Sequence, residues 1–491
     1  MPHFDVLHCV NDAPFMEQLE ALLPAYLAER RWFAGKTGQQ SSVKIETAVA
    51  LNANTEYAFL LLLTKRPGSI AQRYLLPVTL KPDANDTTGF IMRVALSSPP
   101  VILIDAFFDD DFIRLLLRGM ATAAEGPTAL GPGLHFRRYE DFQSERALDS
   151  RAKLVRPQVE QSNTSIVTEI GILKCFRRIE SGLHPEIEIG QTLSKQNFGH
   201  TPELLGSLEL IDDSGQSTAL CVLQRFIPDG IDGWRFVETS LDIVLSTAGE
   251  REGIEVLLAT LGNLGEITAE LHNVLAHTTI PGFRAEPVSS TWLLEWRSKV
   301  SASLEEMFAL LERQSWERST QTQVDRILNG RLSLVAKIGS LVPTHADLER
   351  TRIHGDLHLG QTIIAHNEIY IVDFEGEPMK PLAARREKHL PLRDVAGVLR
   401  SIEYAIAIKI RSCSSTDHRT LLETLAGEMK SRFLQQYSAT YYKALDPNSL
   451  ELSVIEKCVY EVVYEAENRP DWIEIPIAGL LSVLSDESVI N

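Results

Sequence analysis

The spacing of hydrophobic residues divides the chain into a strand-rich first half and a helix-rich second half. Short apolar or alternating segments predict β-strands before about residue 228; the clearest are YAFLLLL, QRYLLPVTL, SIVTEIGILKCF and STALCVLQRF. A helix is predicted near the start, in MEQLEALLPAYLAERRWF, and helical spacing then dominates after Pro228. Two examples are EVLLATLGNLGEITAELHNVLA and WLLEWRSKVSASLEEMFALLE. The pattern therefore predicts an α+β fold whose strands precede most of its helices.

Length and composition limit the class of protein. A chain of 491 residues exceeds the usual size of a single core, so we expect two or three packed units. The hydrophobic share of 44% and the charged share of 23% are typical of a soluble globular protein, and no apolar run could span a bilayer. The amino terminus lacks the pattern of a secretory signal. We therefore expect a cytoplasmic enzyme, with a monomer as the default oligomeric state.

Charge and cysteine content exclude several partners. The formal net charge of −18 argues against binding to nucleic acid or to an anionic membrane, because both would repel the chain. The five cysteines are odd in number and lie far apart, so they predict neither a disulfide framework nor a zinc site. We interpret them as reduced residues of the core.

One stretch near the start resembles half of a phosphate-binding P-loop. RRWFAGKTG contains Gly35, Lys36 and Thr37, but Arg30 stands where the motif requires its first glycine. The stretch also follows a helical pattern and not a strand. We therefore interpret it as a turn that closes the first helix.

The segment RIHGDLHLGQ carries the candidate chemistry. His354 and His358 could bind a metal, yet a catalytic zinc site needs three protein ligands and no third histidine or cysteine lies at a suitable spacing. Downstream, QTIIA and EIYIVDF predict a hairpin with a tight HN turn. Such a hairpin would return the chain to its start and place Asp373 beside Asp356 and Gln361.

Two carboxylates and an amide oxygen at this spacing favour phosphoryl transfer. In that interpretation Asp356 accepts the proton of the attacking hydroxyl, and Gln361 with Asp373 binds Mg²⁺. The structural alternative is that Asp356 caps a turn and Asp373 ends a strand.

A kinase-like fold should also supply a lysine for the nucleotide phosphates and a glutamate on a helix. Lys174 lies in a predicted strand, and HPEIEIGQTLSKQ begins a helix with Glu186 and Glu188; the alternative is a solvent-facing strand lysine. QSNTS is predicted to cover the phosphates as a loop, although it lacks glycine, and the connector LQRFIPD is predicted to recognise adenine through backbone groups. The remaining nucleotide-binding candidates in these segments are Ser162, Thr164, Ser165, Gln224 and Phe226.

Several motifs together resemble the maltokinases, bacterial sugar kinases related to aminoglycoside phosphotransferases and, more distantly, to protein kinases. These motifs are RRWFAGK, QSNTS, LKCFRRIE, HPEIEIG, LHLGQ, VDFEGEP, PLRDVAGVLRS and YEAENRPDW. The resemblance implies a protein-kinase-like two-lobe fold: an N-terminal cap subdomain (1–95), a strand-rich subdomain completing the upper lobe (96–228), and a helical lobe (229–491).

The resemblance also implies a reaction and residue roles. The γ-phosphate of ATP, held in the cleft, would move to the anomeric hydroxyl of maltose, giving maltose 1-phosphate for α-glucan synthesis. Asp356 would be the catalytic base, Gln361 and Asp373 the magnesium ligands, and Lys174 with Glu188 would hold the phosphates. Asp394 resembles the helix aspartate that braces the catalytic loop.

The late segment SVIEKCVYEVVYEAENRPDW predicts a two-faced helix that stops before Pro470. Ile455, Val459, Val462 and Ala466 form its apolar stripe. Its polar face offers acceptors and aromatic rings to a sugar, although it could also be an ordinary solvated face. The predicted acceptor contacts are His354, Glu375, Lys457, Tyr460, Glu461, Tyr464, Glu465 and Arg469.

Three alternatives to a maltokinase remain at this stage. The same fold could phosphorylate glucosamine or an aminoglycoside, although a cationic acceptor calls for a cluster of carboxylates. A non-catalytic kinase-like binding module is disfavoured by the intact Lys174, Asp356, Gln361 and Asp373. A metal hydrolase using His354 and His358 would hold tightly bound zinc.

Overall fold

The computed structural model divides into two compact units. Unit 1 comprises Met1–Gln191 with Pro202–Ile227, and unit 2 comprises Thr192–Thr201 with Pro228–Asn491. The structure describes residues 5–33, 42–51, 55–65, 71–83, 88–94, 100–123, 128–131, 133–140, 142, 153–157, 163–247, 249–344, 347–378 and 380–484.

The described residues form helices and strands in the order that the hydrophobic pattern predicts. The strands are β1 (Ser42–Ala50), β2 (Tyr57–Lys65), β3 (Gln72–Pro82), β4 (Phe90–Val94), β5 (Val101–Asp105), β6 (Thr128–Gly131), β7 (Leu134–Arg138), β8 (Asn163–Val167), β9 (Gly171–Phe176), β10 (Arg178–Ile179), β11 (Leu204–Ile211), β12 (Ser217–Arg225), β13 (Ile231–Asp232), β14 (Glu286–Pro287), β15 (Glu349–Arg350), β16 (Thr362–Ala365) and β17 (Glu368–Ile371). The α-helices are α1 (Val6–Val10), α2 (Ala13–Ala28), α3 (Asp110–Thr122), α4 (Pro185–Lys195), α5 (Gly233–Ser246), α6 (Arg251–His277), α7 (Ser290–Arg313), α8 (Arg318–Asn329), α9 (Arg331–Ser340), α10 (Leu382–Arg385), α11 (Leu392–Ser412), α12 (Thr416–Thr440), α13 (Pro447–Asn468) and α14 (Glu474–Leu484). Three short 3₁₀ turns are Ala106–Phe108, Leu359–Gln361 and Pro470–Trp472.

Two antiparallel sheets build unit 1. The first has the order β1-β2-β3-β5-β4, with β10 paired to β3, and the second has the order β6-β7-β11-β12-β9-β8. Apolar side chains that alternate along these strands fill two buried clusters, one packed with α1 and α2 and the other with α3.

A buried charge network joins motifs that are distant in the sequence of unit 1. Arg177 is 1% exposed and donates hydrogen bonds to Asp105 at 2.6 Å and to Thr164 at 2.7 Å. Its guanidinium also lies 4.7 Å from the centre of the Trp32 ring. The Trp32 of RRWF and the Arg177 of LKCFRRIE therefore belong to one packed structure, which is stable only because the buried charge is paired.

Helices dominate unit 2 and hold the candidate catalytic segment. Helix α6 packs along α12, and α11 packs against both α12 and α13. Helix α13 begins at Pro447 after the capping side chain of Asp446 and ends at Asn468, as the proline at 470 predicts. The apolar stripe predicted for this helix, Ile455 to Ala466, is buried.

The fold class predicted from the sequence is confirmed: strands dominate the first half and helices the second. The domain boundaries at residues 95 and 228 stay predictions. All five cysteines are free, and four of them are buried. Across the described ranges no helix combines the length and the apolar character needed to span a membrane. The GKT stretch lies outside the described residues.

Candidate active site

The predicted hairpin forms and brings Asp373 back toward the loop that contains Asp356. Strands β16 and β17 pair in antiparallel register from Thr362 opposite Ile371 to Ala365 opposite Glu368. The two turn residues, His366 and Asn367, adopt left-handed backbone angles, φ 51° and 63°, as a tight hairpin requires. At the open end the N–H of Val372 donates to the carbonyl of Gln361 at 3.0 Å. Residue 373 therefore directly follows a backbone contact with the loop.

Asp394 holds the loop by its main chain. Its two carboxylate oxygens accept hydrogen bonds from the N–H groups of His354, at 2.7 Å, and Gly355, at 2.8 Å. His272 adds a third contact at 3.1 Å. Burial raises the pKa of Asp394, but the hydrogen bond to His272 and the neighbouring groups outweigh burial and lower it. The predicted bracing role of Asp394 is confirmed.

The two histidines of the loop are structural. His354 is 1% exposed; its Nε2 lies 2.9 Å from the carbonyl of Val372, and its Nδ1 accepts the N–H of Asp356 at 3.3 Å. His358 Nδ1 accepts the N–H of Gly360 at 3.1 Å, and burial lowers the pKa of this imidazole. The prediction that His354 contacts the acceptor is therefore wrong, because both its ring nitrogens bind the main chain. The zinc alternative loses one of its two ligands for the same reason.

Asp356 forms an ion pair with the late helix. Lys457 of α13 lies 2.9 Å from Asp356 Oδ1 and 3.5 Å from a carboxylate oxygen of Glu377. Burial lowers the pKa of Lys457, but the two carboxylates outweigh burial and raise it above its usual range, so the ammonium stays charged. Lys457 thus contacts Oδ1 of Asp356, and the role of Asp356 as a base stays a prediction.

The predicted metal ligands have suitable donor chemistry. Asp373 adopts a left-handed backbone, φ 69°, which is uncommon for a residue other than glycine and is often found at functional sites. A carboxylate oxygen of Glu375 lies within 4.8 Å of one from Asp373. Gln361 ends the 3₁₀ turn and is half-buried. Asp373 and Gln361 offer oxygen ligands of the kind that Mg²⁺ prefers, and Glu375, which was predicted as an acceptor contact, offers a further carboxylate oxygen beside Asp373.

In unit 1, a lysine and a glutamate pair across a strand and a helix. Lys174 Nζ in β9 lies 3.9 Å from Glu186 Oε2 in α4, and Glu186 is fully buried. Gln224 of β12 donates to the other oxygen of Glu186 at 2.7 Å. Glu186 is therefore the carboxylate that the structure places beside Lys174, and the assignment of that role to Glu188 stays a prediction.

The predicted phosphate-covering loop is partly wrong. Asn163 to Val167 form β8, in which Thr164 lies opposite Cys175 and Ser165 opposite Lys174. Thr164 is 2% exposed and its hydroxyl accepts from Arg177, so it cannot bind phosphate. Pairing with β9 determines this conformation, whereas the composition favoured a loop. Ser162 lies outside the described residues, and the nucleotide-binding role of Ser165 stays a prediction.

The connector after β12 contains Phe226, a predicted nucleotide contact. Phe226 follows β12 and is 40% exposed, and a backbone contact to adenine there stays a prediction.

On α13 the rings of Tyr460 and Tyr464 stack, with their centres 6.2 Å apart and their planes at an angle of 22°. This tyrosine pair lies one turn beyond Lys457, whose ammonium is 5.0 Å from the centre of the Tyr460 ring.

Two glutamates of this helix pair with arginines. Glu461 is paired with the buried Arg400 at 2.9 Å, and its side chain is 12% exposed, so its contact with the sugar stays a prediction. Glu465 is 1% exposed and accepts from Arg469 at 2.7 Å. The prediction that Glu465 contacts the sugar is therefore wrong, because tertiary packing buries its carboxylate. Arg469 remains half-exposed at 46% and also lies over the Tyr464 ring.

Comparisons with known proteins agree with this geometry. Residues 159–376 match the phosphotransferase enzyme family, and residues 26–109 match the maltokinase N-terminal cap domain. The chain therefore contains a stretch similar to this phosphotransferase family after a stretch similar to the maltokinase cap, and its fold is the kinase-like fold with an N-terminal cap domain.

Proteins similar to this chain include two glucosamine kinases. That of Mycolicibacterium smegmatis is 25% identical over 340 residues, covering 67% of this chain and 79% of the relative. That of Streptacidiphilus jiangxiensis is 23% identical over 337 residues, covering 67% and 73%. A solved glucosamine kinase in complex with glucosamine, ADP and inorganic phosphate superposes with a TM-score of 0.66 at 17% identity, covering 95% of this chain and 98% of that one. The structural likeness shows the shared fold.

Sequence reasoning missed the charge network beside the loop that contains Asp356. Glu377 is 2% exposed and contacts Lys380 at 2.7 Å, Arg393 at 3.1 Å and Lys457 at 3.5 Å. The second glutamate of DFEGEP was the available signal, since a carboxylate that becomes buried needs a partner. Its partners come from other elements, so only the fold identifies them.

Proposed function

We propose that this phosphotransferase transfers the γ-phosphate of ATP to the anomeric hydroxyl of maltose, giving maltose 1-phosphate for α-glucan synthesis. The maltokinase-type cap supports this acceptor. The observation that carries the proposal is the ion pair between Asp356 and Lys457, because it links the candidate base directly to the helix that bears the tyrosine pair. Aromatic faces that lie beside a proton acceptor suit a sugar hydroxyl.

The chemistry follows from the residues in unit 2. Oδ2 of Asp356, which Lys457 does not contact, would take the proton of the C1 hydroxyl as the hydroxyl oxygen bonds to the γ-phosphorus. The bond from that phosphorus to the bridging oxygen breaks, and its electron pair leaves with ADP. Mg²⁺, held by Asp373, Gln361 and Glu375, would neutralise charge on the phosphates. Lys174, positioned by Glu186 in unit 1, suits the binding of nucleotide phosphates.

An amino sugar is the second candidate, because the curated relatives are named glucosamine kinases. A cationic acceptor favours a carboxylate that has no cation of its own. Glu377, Glu461 and Glu465 are each already paired with lysine or arginine. This charge balance favours a neutral sugar, so we place glucosamine second.

The test is ADP release by the purified protein with ATP and Mg²⁺, offered maltose, glucose, glucosamine and an aminoglycoside separately. We expect maltose to be the best acceptor, and its product to lose the reducing end and carry an acid-labile anomeric phosphate by ³¹P NMR. Faster turnover with glucosamine would make glucosamine the proposed acceptor in place of maltose, and the proposed roles of the catalytic residues would stay the same. No acceptor-dependent turnover with any of the four would contradict the proposal.

Asp356→Asn is the matched variant for this assay. The substitution keeps the shape of the side chain and removes the proton acceptor, so we expect kcat to fall by roughly 10²–10⁴-fold. The KM for ATP should change by less than about twofold, because Asp356 would act on the acceptor. Asp242→Asn, at an exposed carboxylate paired with Lys409 on the surface, is the control and should keep full activity. Substantial residual activity in Asp356→Asn would remove Asp356 from the base role.

A further inference from the structure

Unit 2 contains a cavity that the proposed chemistry does not use. It has a volume of about 240 Å³ and lies beside the catalytic loop, with Gly355 and Gly376 in its wall. Helix α7 contributes Trp292 and Trp296, and α13 contributes Glu456. Pockets for drug-sized ligands begin at roughly 300 Å³, so this cavity suits a single ring.

Three aromatic rings form one side of the cavity. The Trp292 and Trp296 rings lie 5.5 Å apart and are tilted by 32°. The His389 ring meets both edge-on, at 5.3 Å from Trp292 and 5.4 Å from Trp296. A wall of this type offers apolar contact to the C–H face of a pyranose ring.

One buried polar atom in this wall has no protein partner. His389 Nδ1 is shielded from solvent and makes no hydrogen bond to any of the residues that the structure describes. Burial lowers the pKa of His389 to about 3, so the imidazole is neutral at physiological pH. An unpaired buried polar atom is costly, and a ligand hydroxyl would satisfy it if binding turned the ring so that Nδ1 faced the cavity.

Four of the charged side chains that line the cavity neutralise one another. Glu377 is paired with Lys380 and Arg393. Glu456 accepts the indole N–H of Trp296 at 2.9 Å and lies 3.5 Å from Arg393. A ligand with a net charge would disturb these pairs, whereas a neutral polyol can share hydrogen bonds with them. The chemistry of the lining therefore favours an uncharged sugar.

The cavity also has a defined relation to Asp356. Glu377 lines it and contacts Lys457, which in turn contacts Asp356. Asp356 itself is not part of the lining, so a hydroxyl reacting there belongs to a ring outside the cavity. Glu456 and Tyr460 are four residues apart on α13, about 6 Å along the helix axis. The cavity and the tyrosine pair are thus neighbouring places for two linked rings.

We infer that this cavity binds the second, non-reacting pyranose ring of a disaccharide acceptor and so selects disaccharides over monosaccharides. The inference deepens the proposed function and rests on it for the identity of the reacting hydroxyl. It assigns to Trp292 a role in specificity.

The test compares the wild type with Trp292→Ala, and with Trp316→Ala as a matched control, because Trp316 is half-buried and does not line the cavity. Maltose and glucose are titrated by calorimetry without nucleotide, and kcat and KM are measured with each sugar. We expect Trp292→Ala to raise the Kd and KM for maltose at least tenfold. The KM for ATP and the kinetics with glucose should stay unchanged in this variant. Trp316→Ala should leave the Kd and KM for maltose unchanged as well. A second variant, Ala384→Phe, fills the cavity from another wall and should act in the same direction if Trp292→Ala does not fold.

The possible results separate the two proposals. Maltose binding that is lost in Trp292→Ala, without maltose turnover in the wild type, would support the cavity and contradict the proposed function. Maltose turnover with unchanged maltose affinity in folded Trp292→Ala and Ala384→Phe would leave the proposed function and overturn the cavity inference. Failure of the wild type to bind maltose would overturn the inference as well.

Discussion

At the scale of single residues, the site depends on how buried charges are paired. Lys457 contacts both Asp356 and Glu377, so one ammonium fixes the candidate base and the acid that lines the neighbouring cavity. Removing one partner of such a pair leaves a buried charge uncompensated, which costs more than the pair itself contributes. The network is therefore sensitive to pH through its carboxylates.

Glu377 gives the clearest pH dependence. Burial raises its pKa, but Arg393, Lys457 and Lys380 outweigh burial and lower it to about 2, from an ordinary value of 4.5. The unfolded chain thus binds this proton more readily, so the stabilisation is complete above about pH 4.5 and is lost as the pH falls toward 2. A shift of this size corresponds to on the order of 3 kcal/mol.

We expect Glu377→Gln to lower the free energy of unfolding at pH 7 by an amount of this order, and to make its decline in acid shallower than in the wild type. Urea unfolding at neutral pH and at several acidic pH values measures both effects. The control is Glu252→Gln, at an exposed position in the first turn of α6. Equal acid slopes for the wild type and Glu377→Gln would show that Glu377 is not the titrating group.

At the scale of secondary-structure elements, predictions from local sequence succeeded for one element and failed for another whose conformation depends on pairing with a neighbouring strand. The β16–β17 hairpin was predictable because two short apolar segments flank a two-residue turn, His366-Asn367, that readily adopts left-handed angles. The segment Asn163–Ser165 was mispredicted as a loop because its polar composition is typical of loops, whereas pairing with β9 makes it a strand. A conformation determined by neighbouring residues was thus predictable from the sequence, whereas a conformation determined by pairing with another strand was not.

Helix α11 approaches the catalytic loop at a glycine, and this contact is testable. A Cβ added at Gly397 would collide with the carbonyl oxygen of Leu357, the residue after Asp356. Backbone cannot move aside as a side chain can, so we expect Gly397→Ala to displace the loop and to reduce both thermal stability and kcat.

Gly427→Ala is the control, because Gly427 lies in α12 and an added Cβ there meets nothing within 4 Å. This change should stabilise the protein by up to about 1 kcal/mol through helix propensity. Thermal unfolding and kcat of both variants check the prediction. Wild-type kcat in Gly397→Ala would mean that the helix and the loop adjust to each other more easily than the structure indicates.

At the scale of the whole molecule, the sequence indicated single residues of the site better than it indicated their partners. Asp394 was recognised through the family resemblance, and the structure gives it the expected bracing contacts. The catalytic role of Asp356 stays a prediction. The pairing of Lys174 with Glu186 depends on how α4 lies against β9, and one helical sequence offers both Glu186 and Glu188. Glu377 and Trp292 lie near the site because segments that are distant in sequence pack together. The periodicity of hydrophobic residues does not show such packing.

The proposed function assigns Lys174 and Asp356 to one reaction, and a double-mutant cycle tests this. Residues that act as a unit in one chemical step give strongly non-additive losses. We therefore expect Lys174→Met and Asp356→Asn each to reduce kcat/KM severely, and the double variant to be little worse than the more damaging single one. The measurement is ADP release with the best acceptor, with Lys195→Met as a control at the exposed lysine that ends α4. Losses that multiply fully would mean that the two residues act independently, and the assignment of Lys174 to the nucleotide phosphates would have to be abandoned.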